Sequence, residues 1–147
     1  MPEDIIISSN YSFQITIDGI TDENEYFYSV EGLSLNYQTI SYRSGGDNNI
    51  TPMTTTLDIQ PIIVKRPLSN VTSGFSKWCI KALDTGIFEP VSMNIFILNH
   101  DSSINNHWII ENAYPTGLKV STINLENTNP TIMEIITIMY KNIKRVK

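Results

Sequence analysis

The chain has 147 residues and a formal net charge of −5, and only 17% of its residues are charged. This length suffices for one domain with a core and is too short for two ordinary domains, so we expect a single domain over residues 1–147. The apolar fraction of 41% predicts an ordered chain. The acidic balance argues against binding to a nucleic acid backbone, which needs clustered Lys and Arg side chains. Sparse charge is typical of surfaces that are buried against copies of the same protein.

The cysteine content and the first residues indicate in which cellular compartment the protein is made. Cys79 is the single cysteine, so neither an intramolecular disulfide nor a multi-cysteine metal site is expected. The sequence Met1-Pro2-Glu3-Asp4 is acidic and lacks the pattern of a signal peptide. No apolar run approaches the ~20 residues that span a bilayer. We therefore expect a protein without a membrane anchor that is made and folded in a cytoplasm.

The first part of the chain predicts strands separated by polar turns, over residues 11–18, 26–30, 33–43 and 54–65. Apolar and polar side chains alternate in the first of these strands, and Gly19 ends it. Glu31 and Gly32 predict a break or bulge, and residues 44–52 have the composition of a loop. Pro61 marks an edge or a bulge in the fourth strand.

One helix is predicted, over residues 73–85. Its apolar residues are spaced by three and four, so they form one stripe: Phe75, Trp78, Cys79, Ala82 and Leu83. Thr72 or Ser73 can cap the start of the helix, and Gly86 suits a left-handed residue at its end. The opposite, solvated face carries Lys77 and Lys81.

The last part of the chain predicts strands over residues 91–98, 107–113, 118–125 and 132–143, with a polar turn over residues 99–106. The final strand is apolar on both faces, with Ile132, Ile136, Ile138 and Tyr140 on one and Met133, Ile135 and Met139 on the other. Such a strand is expected in the middle of a sheet, with the helix on one face and a second sheet on the other. About seven strands, one helix and no repeat predict a β-sandwich or a small barrel.

The polar residues include no set that is typical of catalysis or metal binding. His100, Asp101 and His107 lie near one turn, but no Cys, Glu or third His stands at ligand spacing, so no metal site is predicted. Cys79 lies on the apolar stripe of the helix, which favours a buried thiol over a nucleophile. We expect no catalytic residue, no cofactor-binding residue and no cofactor, and the chain is not expected to be an enzyme.

Two further features have alternative interpretations. Asp58 and Glu134 lie within strands, where they could pair with each other or with Arg or Lys, inside a subunit or between subunits. The sequence Ser44-Gly45-Gly46-Asp47 lacks the Gly-Lys-Ser/Thr ending and the following helix of a phosphate-binding loop. On its residues alone, this segment is the tip of a hairpin.

Several short motifs occur in a distinctive order along the chain. They are Tyr11 to Gly19, Val30-Glu31-Gly32-Leu33, Tyr42-Arg43 with Gly45-Gly46-Asp47-Asn48-Asn49, Lys65-Arg66, the helix with Trp78, Trp108 through Ala113-Tyr114-Pro115, and a terminal strand with Glu134. In this order and spacing the chain resembles the tail tube proteins of contractile phages and the inner-tube proteins of contractile injection systems. It departs from the family pattern where Pro67 follows Arg66 and in a longer, more acidic loop after Gly19.

The resemblance implies a mainly β fold of the Hcp-like type, a two-sheet β-sandwich or barrel with one flanking α-helix. It implies a hexameric ring with a continuous inner β-barrel, and rings that stack into a hollow conduit. The implied function is that of a structural subunit of the inner tube, which sheath contraction drives through a target envelope. The implied partners are sheath subunits, baseplate or spike proteins at one end and a terminator cap at the other. An effector protein or DNA would pass through the lumen without specific binding.

The resemblance also implies a role for the glycine-rich loop, which would reach the neighbouring subunit and the adjacent ring. The candidate inter-subunit residues are Tyr42, Arg43, Gly45, Gly46, Asp47, Asn48 and Asn49. The expected core anchors are Phe75, Trp78, Leu83 and Trp108. Two alternatives stay open: a tube-initiator ring that joins the tube to the baseplate and, more remotely, a small-molecule-binding β-barrel.

Overall fold

A computed structural model describes residues 11–20, 25–42, 45, 51–69, 72–121 and 132–147 of the chain. Within these ranges the chain forms ten strands and one helix. The first six strands are β1 (Tyr11–Ile17), β2 (Glu25–Phe27), β3 (Ser29–Glu31), β4 (Asn36–Tyr42), β5 (Thr51–Asp58) and β6 (Ile62–Pro67). They are followed by α1 (Gly74–Thr85), β7 (Val91–Asn99), β8 (Ile104–Val120), β9 (Met133–Met139) and β10 (Asn142–Arg145).

The main sheet closes on itself. Its strands follow the order β2-β1-β7-β8-β9-β6-β3, with β10 beside β8, and every pairing is antiparallel. The two ends of this order, β2 and β3, are consecutive in the chain and separated only by Tyr28. The Tyr28 N–H donates to the carbonyl oxygen of Lys65 at 2.8 Å. The segment of residues 25–31 therefore joins both ends of the sheet, and the result is a small barrel.

Alternate side chains of the barrel strands fill one core. The fully buried members include Ile15, Ile17, Ile62, Val64, Met93, Ile95, Ile110, Ile136 and Ile138. They come from both halves of the sheet, so the two halves face each other across a single apolar layer. Burying a side chain of this size contributes roughly 1.5–3 kcal/mol relative to leaving it in water. The predicted fold class, a mainly β sandwich or barrel with one flanking α-helix, is confirmed.

Both ends of α1 are capped as the sequence predicts. The Ser73 Oγ accepts a hydrogen bond from the Ser76 N–H at 3.2 Å. Gly86 is left-handed, with φ of +69°, and its N–H donates to the carbonyl oxygen of Ala82 at 2.9 Å. Since these contacts satisfy backbone groups that a helix end leaves unpaired, they define where the helix begins and ends.

The helix contributes its apolar side to the barrel core. The Phe75 ring meets the Phe27 ring edge-on, with centroids 5.0 Å apart, and the Trp78 ring at 5.6 Å. Phe75 and Cys79 are fully buried. Among the strands, α1 makes its most extensive contact with β8.

The prediction of a single strand over residues 54–65 is wrong. β5 ends at Asp58 and β6 begins at Ile62, and the two strands belong to different sheets. Between them, the chain crosses Gly32 so closely that a Cβ on Gly32 would lie 2.2 Å from the Pro61 carbonyl oxygen. Pro61 has no N–H to donate, so it suits this crossing and not the interior of a strand.

The two strands predicted over residues 107–113 and 118–125 are one strand, β8, within the described chain; residues 122–125 lie outside it. β8 runs through Pro115, which pairs with Ile138 just before the register shifts at Gly117. The separate-strand prediction is wrong because the bulge accommodates a proline inside the sheet. The predicted turn before β8 is also shorter, since β8 starts at Ile104.

The strand predicted over residues 132–143 is interrupted at Tyr140 and Lys141. β9 and β10 follow β8 in one register, with Met139 opposite Tyr114 and Asn142 opposite Glu111. The interruption faces Asn112, whose φ of +54° turns the β8 backbone out of the regular ladder. The single-strand prediction is wrong for this local reason.

β9 occupies the middle of the sheet, between β8 and β6, as its apolar faces predict. Its inward side chains are buried, and its outer face carries Met133, Ile135 and Met139, which are half-buried. Within the described part of the chain, the extensive contacts of β9 are with its two sheet neighbours. The prediction of a separate layer over each face is therefore wrong, because the helix and the opposite half-sheet share the inner face.

Candidate assembly surfaces

β4 and β5 form a two-stranded ribbon that is separate from the barrel sheet. The pairing runs from Asn36 opposite Asp58 to Tyr42 opposite Thr51. The seven residues of β4 span roughly 20 Å. In the described part of the chain, the extensive contacts of each ribbon strand are with the other.

The ribbon is anchored at its base and exposed beyond it. Leu33 and Ile59, just outside the two strands, pack against the barrel core. Farther along, the Tyr37 side chain is 60% exposed and that of Met53 is 46% exposed. An isolated two-stranded hairpin is marginally stable in water at best. A ribbon that exposes large apolar side chains on both strands is therefore typical of a segment that pairs with another chain.

The ribbon carries the predicted inter-subunit loop at its tip. Tyr42 is the last residue of β4, and Gly45 lies in an exposed turn with open space around it. The other candidates, Arg43, Gly46, Asp47, Asn48 and Asn49, lie outside the described residues. The predicted loop of residues 44–52 is shorter than expected, because β5 already begins at Thr51.

A buried ionic network lies where α1 begins. The Arg66 Nη1 is 3.1 Å from Glu25 Oε1, and the Arg66 Nε is 3.1 Å from Glu134 Oε2. The side chain of Arg66 is 13% exposed, and those of both glutamates are 9% exposed. Arg66 also donates to the hydroxyl groups of Ser73 and Ser76. Removal of these charges from water is compensated only because each is paired and hydrogen-bonded.

The same network holds the helix against the barrel. The second oxygen of Glu25 accepts a hydrogen bond from the Phe75 N–H at 3.0 Å, at the positive end of α1. The Ser76 hydroxyl donates to Glu134 at 3.0 Å. The Arg66 guanidinium lies 4.7 Å from the centre of the Phe27 ring. These contacts join β2, β6, β9 and α1.

Sequence analysis anticipated only part of this network. The expectation that Glu134 would be satisfied by Arg or Lys is confirmed, with Arg66 as its partner. Glu25 and Ser76 were missed, because the signal in the sequence, a basic residue in one strand and the acidic Glu134 in a later strand, indicates the ion pair with Glu134 alone. Arg66 is 41 residues from Glu25 and 68 from Glu134, so no local spacing indicates the cluster.

The expected core anchors lie at different depths. Phe75 is fully buried, whereas Trp78, Leu83 and Trp108 are half-buried. Trp78 and Trp108 pack against the edge of the core cluster. The Arg145 guanidinium lies 5.7 Å from the Trp108 ring centre. Phe75 is therefore the deepest of the four.

The His and Asp residues near the β7–β8 turn make ordinary structural contacts. His107 stacks on Phe96 with centroids 4.3 Å apart, and its Nε2 lies 3.0 Å from Asn94 Oδ1. Burial lowers the pKa of His107. Asp101 is exposed, and hydrogen bonds from the Ser103 hydroxyl and N–H lower the pKa of Asp101. In the described ranges, no three His, Cys, Asp or Glu side chains are placed to hold a metal ion.

The remaining polar candidates are also accounted for. Cys79 is fully buried, as predicted. Burial, and to a smaller extent the negative charge of the nearby Glu134, raises the pKa of the thiol to about 12. At neutral pH Cys79 is therefore protonated and unreactive. Asp58 accepts a hydrogen bond from Gln60 Nε2 at 3.0 Å on the surface, and does not join Glu134. The helix that the structure describes is neither long nor apolar enough to cross a membrane.

Sequence comparison places almost the whole chain in one family. The family model for the T4-like virus tail tube protein gp19 matches residues 9–144. A search of curated proteins finds no match.

Several solved structures share the fold of this chain. A chain of the anti-feeding prophage baseplate is 15% identical, with a TM-score of 0.79 over 93% of this chain and 92% of that chain. A chain of the PVC sheath–tube complex, an extracellular contractile injection system, is 24% identical, with a TM-score of 0.75 over 91% and 87%. Hcp1 from Flavobacterium johnsoniae is 16% identical, with a TM-score of 0.59 over 91% and 94%. At these identities the similarity is one of fold.

Proposed function

Since the chain belongs to the T4-like virus tail tube protein family, we propose that it is a structural subunit of the inner tube of a contractile injection system or phage tail. In this role it forms hexameric rings with a continuous inner β-barrel, and the rings stack into a hollow conduit. Sheath contraction drives the conduit through a target envelope, so that an effector protein or DNA passes through. The chain acts through its shape and carries out no reaction.

The proposed partners are sheath subunits outside the tube, baseplate or spike proteins at one end and a terminator cap at the other. The sheath–tube complex and the baseplate among the similar structures support the first two. The alternative of a small-molecule-binding barrel is less well supported, because the interior of the barrel is filled by buried side chains. Because side chains fill the barrel, binding to other molecules must take place on its outer surface.

The ribbon of β4 and β5 is the observation that carries this proposal. The barrel closes without it and forms its own core, so the ribbon contributes little to the folding of its subunit. Its exposed Tyr37 and Met53 would lose their contact with water only in an assembly. In the described part of the chain the two strands form a sheet of their own, so further strands could be added to this sheet in an assembly.

We assign the tip of the ribbon the role of an arm between subunits. Residues 42–52 include two glycines, a proline and several Asn and Asp residues, a composition that suits a projecting turn and not a core. Arg43 stands at the base of this tip and supplies its single positive charge. Contacts made by such an arm exist only after subunits associate.

The test separates folding from assembly. Deletion of residues 45–49, or Arg43→Glu, should leave circular dichroism near that of the parent, because no core residue is lost. Negative-stain microscopy should show single rings or subunits in place of tubes. Lys119→Glu, a charge reversal at an exposed position outside the ribbon, is the matched control and should still form tubes. Normal tubes from both ribbon variants would contradict the arm assignment.

A further inference from the structure

A groove of about 460 Å³ lies beside α1, outside the barrel core. Its apolar lining includes Ile20, Trp78, Ile87 and Val91. Ile87 is 64% exposed, and Trp78 is half-buried, so part of this apolar surface faces water. An apolar groove of this size is large enough for several side chains of a peptide segment.

The groove has an excess of positive charge. Lys77 and Lys81 line it from one face of α1, a single turn apart, and Glu89 is its one lining carboxylate. The formal charge of the lining is therefore +1. A matching occupant is a short apolar segment with carboxylates at one end.

One segment of this chain has that composition. Residues 3–7 read Glu3-Asp4-Ile5-Ile6-Ile7, an acidic pair followed directly by three isoleucines. These residues lie outside the described ranges. An extended segment of this kind could place its isoleucines on the apolar lining and its carboxylates beside the two lysines.

The position of the groove favours a segment from another copy. Tyr11, where β1 begins, pairs with Asn99, whereas the groove lies beyond the other end of β1, at Ile20 and Val91. The seven residues of β1 span roughly 20 Å. Ile5 stands six residues before Tyr11, so even a fully extended chain carries it only about 20 Å back. The isoleucines of a copy therefore do not reach past the end of its own β1 to Ile20 and Val91, whereas a copy placed end to end brings the two features together.

We propose that, in stacked rings, residues 3–7 of one copy occupy the groove beside α1 of a copy in the adjoining ring. Glu3 and Asp4 pair with Lys77 and Lys81, and the isoleucines cover the apolar lining. This contact links rings along the tube and adds to the contact made by the ribbon. The proposal rests on the proposed function, because it requires rings that stack.

Disulfide trapping in the full chain tests the contact. Ile6→Cys combined with Ile87→Cys should give a ladder of covalent oligomers on oxidation. Ile6→Cys combined with Lys141→Cys is the matched control, since Lys141 is exposed and lies outside the groove, and it should give no ladder. The native Cys79 is fully buried and should not take part.

The outcomes distinguish this proposal from the proposed function. A ladder specific to the Ile6–Ile87 pair supports it. A cross-linked monomer shows that the segment folds back on its own copy and overturns it. Tubes without the cross-link overturn it and leave the tube assignment standing, whereas the absence of any rings or tubes overturns both.

Reversing the charges on both sides of the proposed contact measures how much the ion pairs contribute to stacking. Lys77→Glu with Lys81→Glu should raise the protein concentration needed for stacking by about tenfold or more, because weak ion pairs are repeated around each ring. Adding Glu3→Lys and Asp4→Lys to this variant should restore most of the loss. If the quadruple variant stacks no better than the double variant, the proposed ion pairs of Glu3 and Asp4 with the two lysines are overturned.

Discussion

The barrel pairs its charged groups and buries its apolar side chains within one subunit, whereas the ribbon leaves large apolar side chains exposed. In the barrel, Arg66 finds two carboxylates and two hydroxyl groups within its own subunit, and the apolar side chains fill one core. In the ribbon, the two strands pair with each other, while Tyr37 and Met53 face water. In the proposed tube, a subunit that folds completely would thus present a segment whose contacts a neighbour completes.

This contrast predicts that substitutions in the two regions affect different measurements. A change in the barrel should lower the free energy of unfolding, and assembly should fail only because the subunit unfolds. A change in the ribbon should leave that free energy near the parent value and affect assembly alone. The following predictions test this separation, beginning with the largest expected effect.

The largest effect is expected for Phe75→Ala. Phe75 is fully buried and contacts the rings of Phe27 and Trp78, so the substitution leaves a cavity in the core. The free energy of unfolding should fall by about 3–5 kcal/mol, measured by urea unfolding. Trp78→Ala is the comparison, and its loss should be smaller because Trp78 is only half-buried. A larger loss for Trp78→Ala would reverse the depths assigned to the two rings.

Arg66→Gln should destabilise the subunit by about 3–4 kcal/mol. The substitution leaves Glu25 and Glu134 buried without their cation, which costs more than the ion pairs contribute. The neighbouring Lys65→Gln is the matched control. Lys65 pairs with Glu31 on the surface at 3.4 Å, and its loss should cost less than about 1 kcal/mol. Similar melting temperatures for the two variants would contradict the role of the network.

Gly32→Ala should cost roughly 2–3 kcal/mol, because Gly32 has φ of +92° and a Cβ would collide with the Pro61 carbonyl. Gly19 is also left-handed, with φ of +77°, but has open space around it. Gly19→Ala should therefore show only the conformational cost, about 1 kcal/mol. Thermal unfolding of both variants measures the difference. Equal losses of stability would show that the backbone at Pro61 moves away to accommodate the added Cβ.

A small pH effect is expected at His107. Burial lowers the pKa of His107 in the folded state below the ordinary value of 6.5. Above about pH 6.5 the residue is neutral in both states and has no effect. As the pH falls through this value, the unfolded chain binds the proton first, so stability falls until the folded-state pKa is passed. In His107→Gln, urea unfolding midpoints at about pH 7.5 and about pH 5 should differ less than in the parent. An unchanged difference would assign the pH dependence to other groups.

Sequence patterns predict the helix best because its determinants are local. The apolar stripe, the Ser73 cap and Gly86 all lie within a few residues of one another, and the structure shows each of them. The alternating strands also follow from local patterns, since apolar side chains at every second position require one buried face. The core of the barrel is predictable to the same degree.

Features that depend on distant contacts are not predictable in this way. The break between β5 and β6 arises from the crossing at Gly32, about thirty residues away in the chain, and Glu25 reaches Arg66 only once the barrel has closed. The ribbon is the intermediate case. Its glycine-rich tip and extended flanks are visible in the sequence, but its separation from the barrel is not.

Hydrogen exchange on the unaltered protein tests the central claim most directly. In a preparation of single subunits, the amides of β4 and β5 should exchange quickly, while those of β7 and β8 should be protected. In stacked assemblies, exchange in β4 and β5 should slow by about tenfold or more, and exchange in β7 and β8 should change little. Ribbon amides that exchange at the same rate in subunits and in tubes would contradict the account.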